Sequence, residues 1–403
     1  MAADEAGRGF GSGGLLVSDA AVTGPVSRLK ARPASRHLEP QNRCGALFKA
    51  ALAINRFSIR VCGRIDLKSM KACVRVQAVG LAGRSRGAYG PAITQQEHRF
   101  GGCTMTYNVG NPLFKGSLVA LITPFSNGVI DEPAFRNLVN WQIDEGTNGL
   151  IPVGTTGESP TLNHEEHKKV VEICVEEAKG RVPVIAGAGS NSTAEAIDFT
   201  IHAKQAGADA VLHVTPYYNK PTQEGMYRHF SAIAEAVEIP VIIYNIPPRS
   251  VIDMSVDTMK RLAEYPNIVG VKDATQDLVR PLKTRLEIGA DFCQLSGEDA
   301  TIVPYLSQGG HGCISVTCNV APGPLAQMHK AWWDGDLDTV RSINDRLLPL
   351  HDALFCETSP GPVKYAASLI GLCEPNARLP ICDIADSSKI KVESAMRHAG
   401  LIN

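Results

Sequence analysis

The sequence predicts a (β/α)8 TIM barrel with a C-terminal helical appendage, on three observations. Eight short apolar runs of strand character recur between residues 118 and 316. Their starts lie roughly 20–33 residues apart, the length of one β/α unit. Amphipathic stretches of helical period fill the gaps between them. Eight such units in succession spell a barrel of about 200–250 residues. The main competitor, a doubly wound sheet, would rarely need eight consecutive units of this kind.

The chain has 403 residues, enough for two ordinary domains or for one large barrel with additions. Its overall charge is near zero, but the two ends differ. Residues 1–104 hold 16 Lys+Arg and 6 Asp+Glu, which leaves 24 and 35 of the totals of 40 and 41 for the rest. An acidic globular body argues against nucleic acid as its partner. No run approaches 18 apolar residues, so no membrane span is expected. The 11 cysteines show no C-x-x-C pair or even spacing. Reduced thiols in a cytosol-like compartment are expected, not a disulfide framework.

Residues 1–104 are rich in Gly, Ala, Arg and Ser and carry no sustained period, so an unstructured extension is expected there. Two explanations compete. An Arg-rich leader would be organelle-targeting, but Asp4, Glu5 and Asp19 count against it. The preferred alternative is an upstream extension of the reading frame, with the functional start at Met105 and a cytoplasmic enzyme. The barrel is expected over 105–325. Its strands fall at 118–122, 149–153, 182–186, 210–214, 240–244, 268–272, 291–295 and 312–316. The stretch 163–179 is the clearest helix, with Val170, Val171, Cys174 and Val175 on one stripe. Asn163 suits its N-cap, and Glu166 three residues later completes a capping-box pattern. A helical region is expected over 326–403, with helices near 324–333, 339–355, 362–369 and 387–398.

In a barrel, strand ends and the loops after them form the active face. The sixth strand delivers Lys272 there, at the end of the apolar run Ile268-Val269-Gly270-Val271. A lysine in apolar surroundings has its charged form disfavoured, and a neutral amine can attack a ketone to form a Schiff base. The second strand delivers Gly154-Thr155-Thr156-Gly157-Glu158-Ser159. Small residues there allow backbone N–H groups and two hydroxyls to cradle a small carboxylate. The fourth delivers Thr215-Pro216-Tyr217-Tyr218 and the fifth Tyr244-Asn245-Ile246-Pro247-Pro248-Arg249. Gly297 and Ile314 arrive on the last two strands. Gly187-Ala188-Gly189 lacks the third glycine of a dinucleotide fingerprint. His164 and His167 are three apart, one short of the zinc-protease spacing, so no metal is expected.

The four motifs Gly-Thr-Thr-Gly-Glu, Thr-Pro-Tyr-Tyr, Tyr-Asn-Ile-Pro-x-Arg and Gly-Val-Lys-Asp, in this order and spacing, resemble the pyruvate-dependent class I aldolases. This is the superfamily of the dihydrodipicolinate synthases and N-acetylneuraminate lyases, and the bacterial dihydrodipicolinate synthases are the nearer match. The resemblance runs from about residue 113 to the C-terminus. It implies that Lys272 forms the Schiff base with pyruvate and that Tyr244 shuttles protons beside it. Thr155 would link Tyr244 to Tyr218, which in the family reaches in from a neighbouring subunit. Thr156 would hold the pyruvate carboxylate, Arg249 the carboxylate of L-aspartate 4-semialdehyde, and Gly297 and Ile314 would line the pocket. Pro248 and Ser250 differ from the residues usual beside that arginine, which stays in register.

The implied activity is a condensation of pyruvate with the semialdehyde in the diaminopimelate and lysine pathway, without cofactor or metal. A homotetramer made of tight dimers is implied, as is inhibition by L-lysine at Ser159, His164, His167, Asn191, Glu195 and Tyr217. Two other functions stay open: a pyruvate aldolase acting on a sugar acid, and a non-catalytic amino-acid-binding barrel.

Overall fold

The structure is a computed structural model and describes residues 95–100, 103–108, 110 and 112–403. The expectation of an unstructured 1–104 falls largely outside the described residues. Within that stretch, Gln95–Phe100 pairs antiparallel with Cys103–Asn108, a hairpin whose second strand crosses the expected boundary.

Eight parallel strands follow. They are β1 (Gly116–Ala120), β2 (Gly149–Ile151), β3 (Ile185–Gly187), β4 (Ala210–Val214), β5 (Val241–Asn245), β6 (Ile268–Asp273), β7 (Cys293–Ser296) and β8 (Gly312–Ser315). Sequence neighbours pair along the sheet except β2 with β3, and β8 pairs with β1. A single parallel bridge, Leu150 to Val184, closes the ring between β2 and β3. This is the expected (β/α)8 barrel. Several strands lie about two residues from the predicted position because pairing, not hydropathy, sets their ends. Val184, for example, makes only the isolated bridge to Leu150 and spends its N–H on the Asp209 carboxylate at 2.8 Å, and the continuous ladder of β3 begins at Ile185.

The helices are amphipathic for local reasons. In α1 (Glu132–Asp144), Phe135, Leu138, Val139 and Gln142 are buried at helical spacing, and the Asp131 carboxylate caps the Ala134 N–H at 3.0 Å. In α2 (His164–Ala178) the expected capping box forms: Asn163 accepts from the Glu166 N–H at 2.9 Å, and Glu166 accepts from the Asn163 N–H at 3.0 Å. Its core stripe is His167, Val170, Val171, Cys174 and Ala178, while Val175 is only partly buried. The other barrel helices are α3 (Thr193–Ala206), α4 (Gln223–Ala236), α5 (Val256–Leu262), α6 (Arg280–Glu287), α7 (Ile302–Ser307) and α8 (Pro322–Asp334). Because α8 packs on β1, the barrel's own last helix runs across the expected boundary at 325. Beyond it come α9 (Leu337–Ala353), α10 (Gly361–Leu369) and α11 (Asp386–His398); α11 packs on both α9 and α10, and α9 also packs against α8.

The core has two layers. Side chains such as Leu118, Ile151, Leu212, Ile242, Tyr244, Leu295 and Ile314 fill the barrel interior, and a larger layer lies between strands and helices. At the rim the chain leaves β2 through Val153 at φ 49. A β-branched residue in the left-handed region costs on the order of 1–3 kcal/mol and persists only where its surroundings fix it. Gly187 provides the room, since a Cβ there would stand 2.4 Å from the Val153 carbonyl oxygen. Substituting Gly187→Ala is therefore expected to lower stability by about 1–3 kcal/mol, because the two backbones cannot separate without opening the ring. A urea-unfolding midpoint equal to that of the wild type would show that the rim relaxes freely.

Candidate active site

Lys272 is the fifth residue of β6, and parallel pairing sets it beside Tyr244 of β5 and Leu295 of β7. The side chain is 6% exposed, and its Nζ lies 4.2 Å from the centre of the Tyr244 ring. That is close enough for a cation–π contact. On the other side Gly297 leaves the lysine stem its space: a Cβ there would be 3.1 Å from Lys272 Cε and 2.8 Å from the Ala274 methyl. Ile314 is fully buried in the same interior layer as Tyr244.

Tyr244 opens onto a cavity of about 230 Å³, which Thr155, Ser159, Tyr217, Ile246 and Arg249 also line. Arg249 is exposed on the single helical turn Pro247–Ser250, at the mouth. Thr155 and Thr156 sit in the loop after β2, between the left-handed residues Val153 (φ 49) and Glu158 (φ 58). The turn is closed by the Gly157 N–H to Gly154 O at 3.1 Å and the Glu158 N–H to Thr155 O at 3.1 Å. Thr156 is buried in that turn and does not line the cavity wall. The chamber thus brings together a phenol, a threonine hydroxyl and a guanidinium; Lys272 does not line it, and its amine stands behind it against the Tyr244 ring. Tyr218 does not join them within the chain: it is 89% exposed with φ 69.

Acidic groups lie behind the lysine. Burial raises the pKa of Asp273, against hydrogen bonds from Thr275 and the Arg280 guanidinium 3.4 Å away. Burial also raises that of Glu298, next in sequence to Gly297, while the Lys272 charge acts the other way. Asp299 accepts the N–H groups of Val316 at 2.9 Å and Thr317 at 3.2 Å, and the Ser315 hydroxyl. It therefore fixes the turn after β8.

The remaining expected residues form a second group beside the cavity. His164 Nε2 and Glu195 Oε1 are 2.7 Å apart, and the Ser190 hydroxyl donates to the other Glu195 oxygen. That hydroxyl first, and His164 after it, hold the carboxyl below its usual range against the opposing effect of burial. Asn191 donates to the Tyr217 carbonyl at 3.2 Å. Burial, reinforced by Glu195, raises the Tyr217 phenol. The two histidines separate in environment. His164 is exposed, whereas His167 is buried with its ring stacked on Phe199 at 4.0 Å, and burial pulls its pKa down to about 4. The stripe of α2 that faces the core includes position 167 but not 164, three residues earlier.

Sequence reasoning assigned no role to Lys364, Arg378, Ser190 or Phe199. A lysine flanked by Val363, Ala366 and Ala367 on a helix face was a legible sign of a buried, paired charge. Among the described residues no group of three or more His, Cys, Asp or Glu could hold a metal ion, and no helix is long and apolar enough to cross a membrane.

The model of the dihydrodipicolinate synthetase family matches residues 113–399. A 4-hydroxy-tetrahydrodipicolinate synthase of Bradyrhizobium diazoefficiens is 66% identical over 290 residues, which cover 72% of this chain and 98% of that protein. Among solved structures, the chloride-inhibited dihydrodipicolinate synthase from Acinetobacter baumannii complexed with pyruvate has a TM-score of 0.70 at 45% identity, over 72% of this chain and 100% of that one. A dihydrodipicolinate synthase from Cyanidioschyzon merolae with lysine bound has a TM-score of 0.70 at 38% identity, over the same shares of 72% and 100%. The chain belongs to the dihydrodipicolinate synthetase family and is an enzyme, a lyase of the class I aldolase type.

Proposed function

We propose that this enzyme condenses pyruvate with L-aspartate 4-semialdehyde to give 4-hydroxy-tetrahydrodipicolinate, in diaminopimelate and lysine biosynthesis. The observation that carries the reading is Lys272, buried at a strand end with its amine against Tyr244, beside a chamber that Thr155 and Arg249 share. The Lys272 amine attacks the pyruvate ketone, and loss of water leaves an imine. The imine draws electrons from the methyl group, which gives up a proton and becomes the enamine carbon. That carbon forms a bond to the aldehyde carbon of the semialdehyde, whose oxygen takes up a proton. The substrate's own amine then attacks the imine carbon, closes the ring and displaces the Lys272 amine.

Each proton must be taken up and returned locally. Tyr244 and Thr155 are the groups at hand, with Tyr218 of a neighbouring subunit completing the relay. The exposure of Tyr218 on its own chain supports that assignment; the enzyme would work as a cytoplasmic homotetramer made of tight dimers. Thr156 and its backbone N–H hold the pyruvate carboxylate, with Gly297 and Ile314 shaping the pocket around it. Arg249, at the mouth, pairs with the carboxylate of the second substrate, a task for which a planar guanidinium is suited. That arginine also favours the semialdehyde over a sugar acid, the other substrate class open to this enzyme type. The Ser190, His164 and Glu195 cluster supports L-lysine as an inhibitor. Glu195 would pair with its α-ammonium, Asn191 and Tyr217 would meet its carboxylate, and Ser159 would border the site. His164 and His167, one helical turn apart, would meet its side chain, His167 from its buried place under Phe199.

Three measurements test the reading. With pyruvate and borohydride, the wild type is expected to gain a mass adduct at Lys272, and Lys272→Ala to lose both adduct and turnover while staying folded. Substantial turnover by that variant would end the Schiff-base mechanism. Arg249→Ala should keep the pyruvate adduct and lose the use of the semialdehyde, with a cost of about 1.5–3 kcal/mol, a charged hydrogen bond's worth. Loss of the adduct instead would mean that Arg249 serves pyruvate. A titration with L-lysine should inhibit the wild type and not Glu195→Ala, and equal responses would mean that the inhibitor site lies elsewhere.

A further inference from the structure

The loop that carries Thr155 and Thr156 is held from outside the barrel. It ends at Glu158, whose φ of 58 turns the side chain into the protein, where the residue is 2% exposed. One carboxylate oxygen accepts from Lys364 Nζ at 2.8 Å, and the other accepts from the Arg378 backbone N–H at 2.8 Å. Lys364 belongs to α10 and is fully buried. Its Nζ also donates to the Thr123 carbonyl at 2.9 Å and lies 4.2 Å over the Phe125 ring. The Thr123 hydroxyl in turn donates to the Gly157 carbonyl at 2.7 Å. The Arg378 side chain stacks on the same Phe125 at 4.4 Å and makes two 2.7 Å bonds to Glu166 at the start of α2.

A buried ion pair contributes little net stability, because its desolvation cost offsets most of its attraction. What it does provide is position: two charges and their hydrogen bonds tolerate only a narrow range of geometry. Here the position held is that of the peptides from Gly157 to Glu158, directly behind Thr155 and Thr156. We propose that Lys364 is a positioning residue for the reaction: acting through Glu158 and Thr123, it sets the loop that receives the keto-acid carboxylate. The assignment rests on the proposed role of Thr156 as holder of that carboxylate. It makes the C-terminal helices part of keto-acid recognition, although none of them touches the substrate. A misplacement of about 1 Å in such a loop can cost on the order of a hundredfold in rate.

The test measures borohydride trapping against pyruvate concentration, together with KM for both substrates and the thermal midpoint. The variants are Lys364→Met, the double variant Lys364→Met with Glu158→Gln, and Thr123→Val. The double variant leaves no buried charge behind, and Thr123→Val removes only the hydroxyl on Gly157. Half-saturation by pyruvate is expected to rise about tenfold or more in the two Lys364 variants, and several-fold in Thr123→Val. KM for the semialdehyde should stay within about twofold, because Arg249 lies on a different loop. A folded double variant with unchanged pyruvate half-saturation would overturn the proposal, even with a lowered thermal midpoint. Should the double variant not fold, an unchanged half-saturation in Thr123→Val overturns it equally. Absence of any adduct in the wild type would instead refute the Schiff-base reading on which the proposal rests.

Discussion

The active face depends on the register between β5 and β6. Parallel pairing places Lys272 beside Tyr244, and both side chains turn into the barrel mouth. Side chains alternate along a strand, so a slip of one residue would turn Lys272 toward the helices and bring Val271 or Asp273 inward. The register is held at both ends. Asn245, one residue beyond Tyr244, is fully buried, takes the Met254 N–H at 3.0 Å and gives its amide to Asp253 at 2.7 Å. Gly270 lies so close to β7 that a Cβ there would meet the Cys293 carbonyl oxygen at 2.4 Å. Closing the ring therefore fixes where the amine sits before any substrate arrives.

Buried charges on the active-face side of the barrel are handled by pairing. Asp273 faces Arg280, Glu158 faces Lys364, and Asp299 is met by two backbone N–H groups and a serine hydroxyl. Each is buried, and each would be costly if left alone. Burial drives the Asp273 and Glu298 carboxyls toward the neutral form and pulls the Lys364 amine in the same direction, against the Glu158 charge. The surroundings of Lys272 are thus low in dielectric but not empty of charge. Such an interior strengthens whatever electrostatic interaction the reacting groups make.

Much of the fold was legible in the sequence, because β/α alternation is a repeated local signal. The eight strands, the capping box at Asn163 and the four C-terminal helices could be read from period and caps alone. Strand ends were less legible. A hydrophobic run marks what is buried, while the paired segment is set by partners such as Asp209 that lie far along the chain. The cavity residues Thr155, Tyr244, Arg249, Ser159 and Tyr217 were legible because strand ends in a barrel converge on one rim. The split between His164 and His167 was not, since three residues on a helix separate core from solvent only once the neighbouring helix is placed. Phe199 of α3 decides it by covering one ring face-on and the other edge-on. Lys364 escaped for the opposite reason. Its partners Thr123 and Glu158 are more than two hundred positions away, and no local pattern records a contact of that range.

The same contrast explains how the loop after β2 can be strained and still well placed. Local preference alone would relax Val153 and Glu158 out of the left-handed region, where side chains with a Cβ are disfavoured. Both are held by parts of the chain that come later. Gly187 on β3 admits the Val153 carbonyl, and Lys364 with Arg378 grips the Glu158 carboxylate. Strain of this kind is retained only when distant contacts over-determine it, and it concentrates where geometry matters for function. In this barrel it lies on either side of two threonines, whereas no residue of β6 from Ile268 to Lys272 has a positive φ. The lysine is placed by the sheet, whose register is rigid, and the threonines by a clamp from the C-terminal helices. The buried amine and the threonine loop therefore rest on separate supports, and a change in one can leave the other in place.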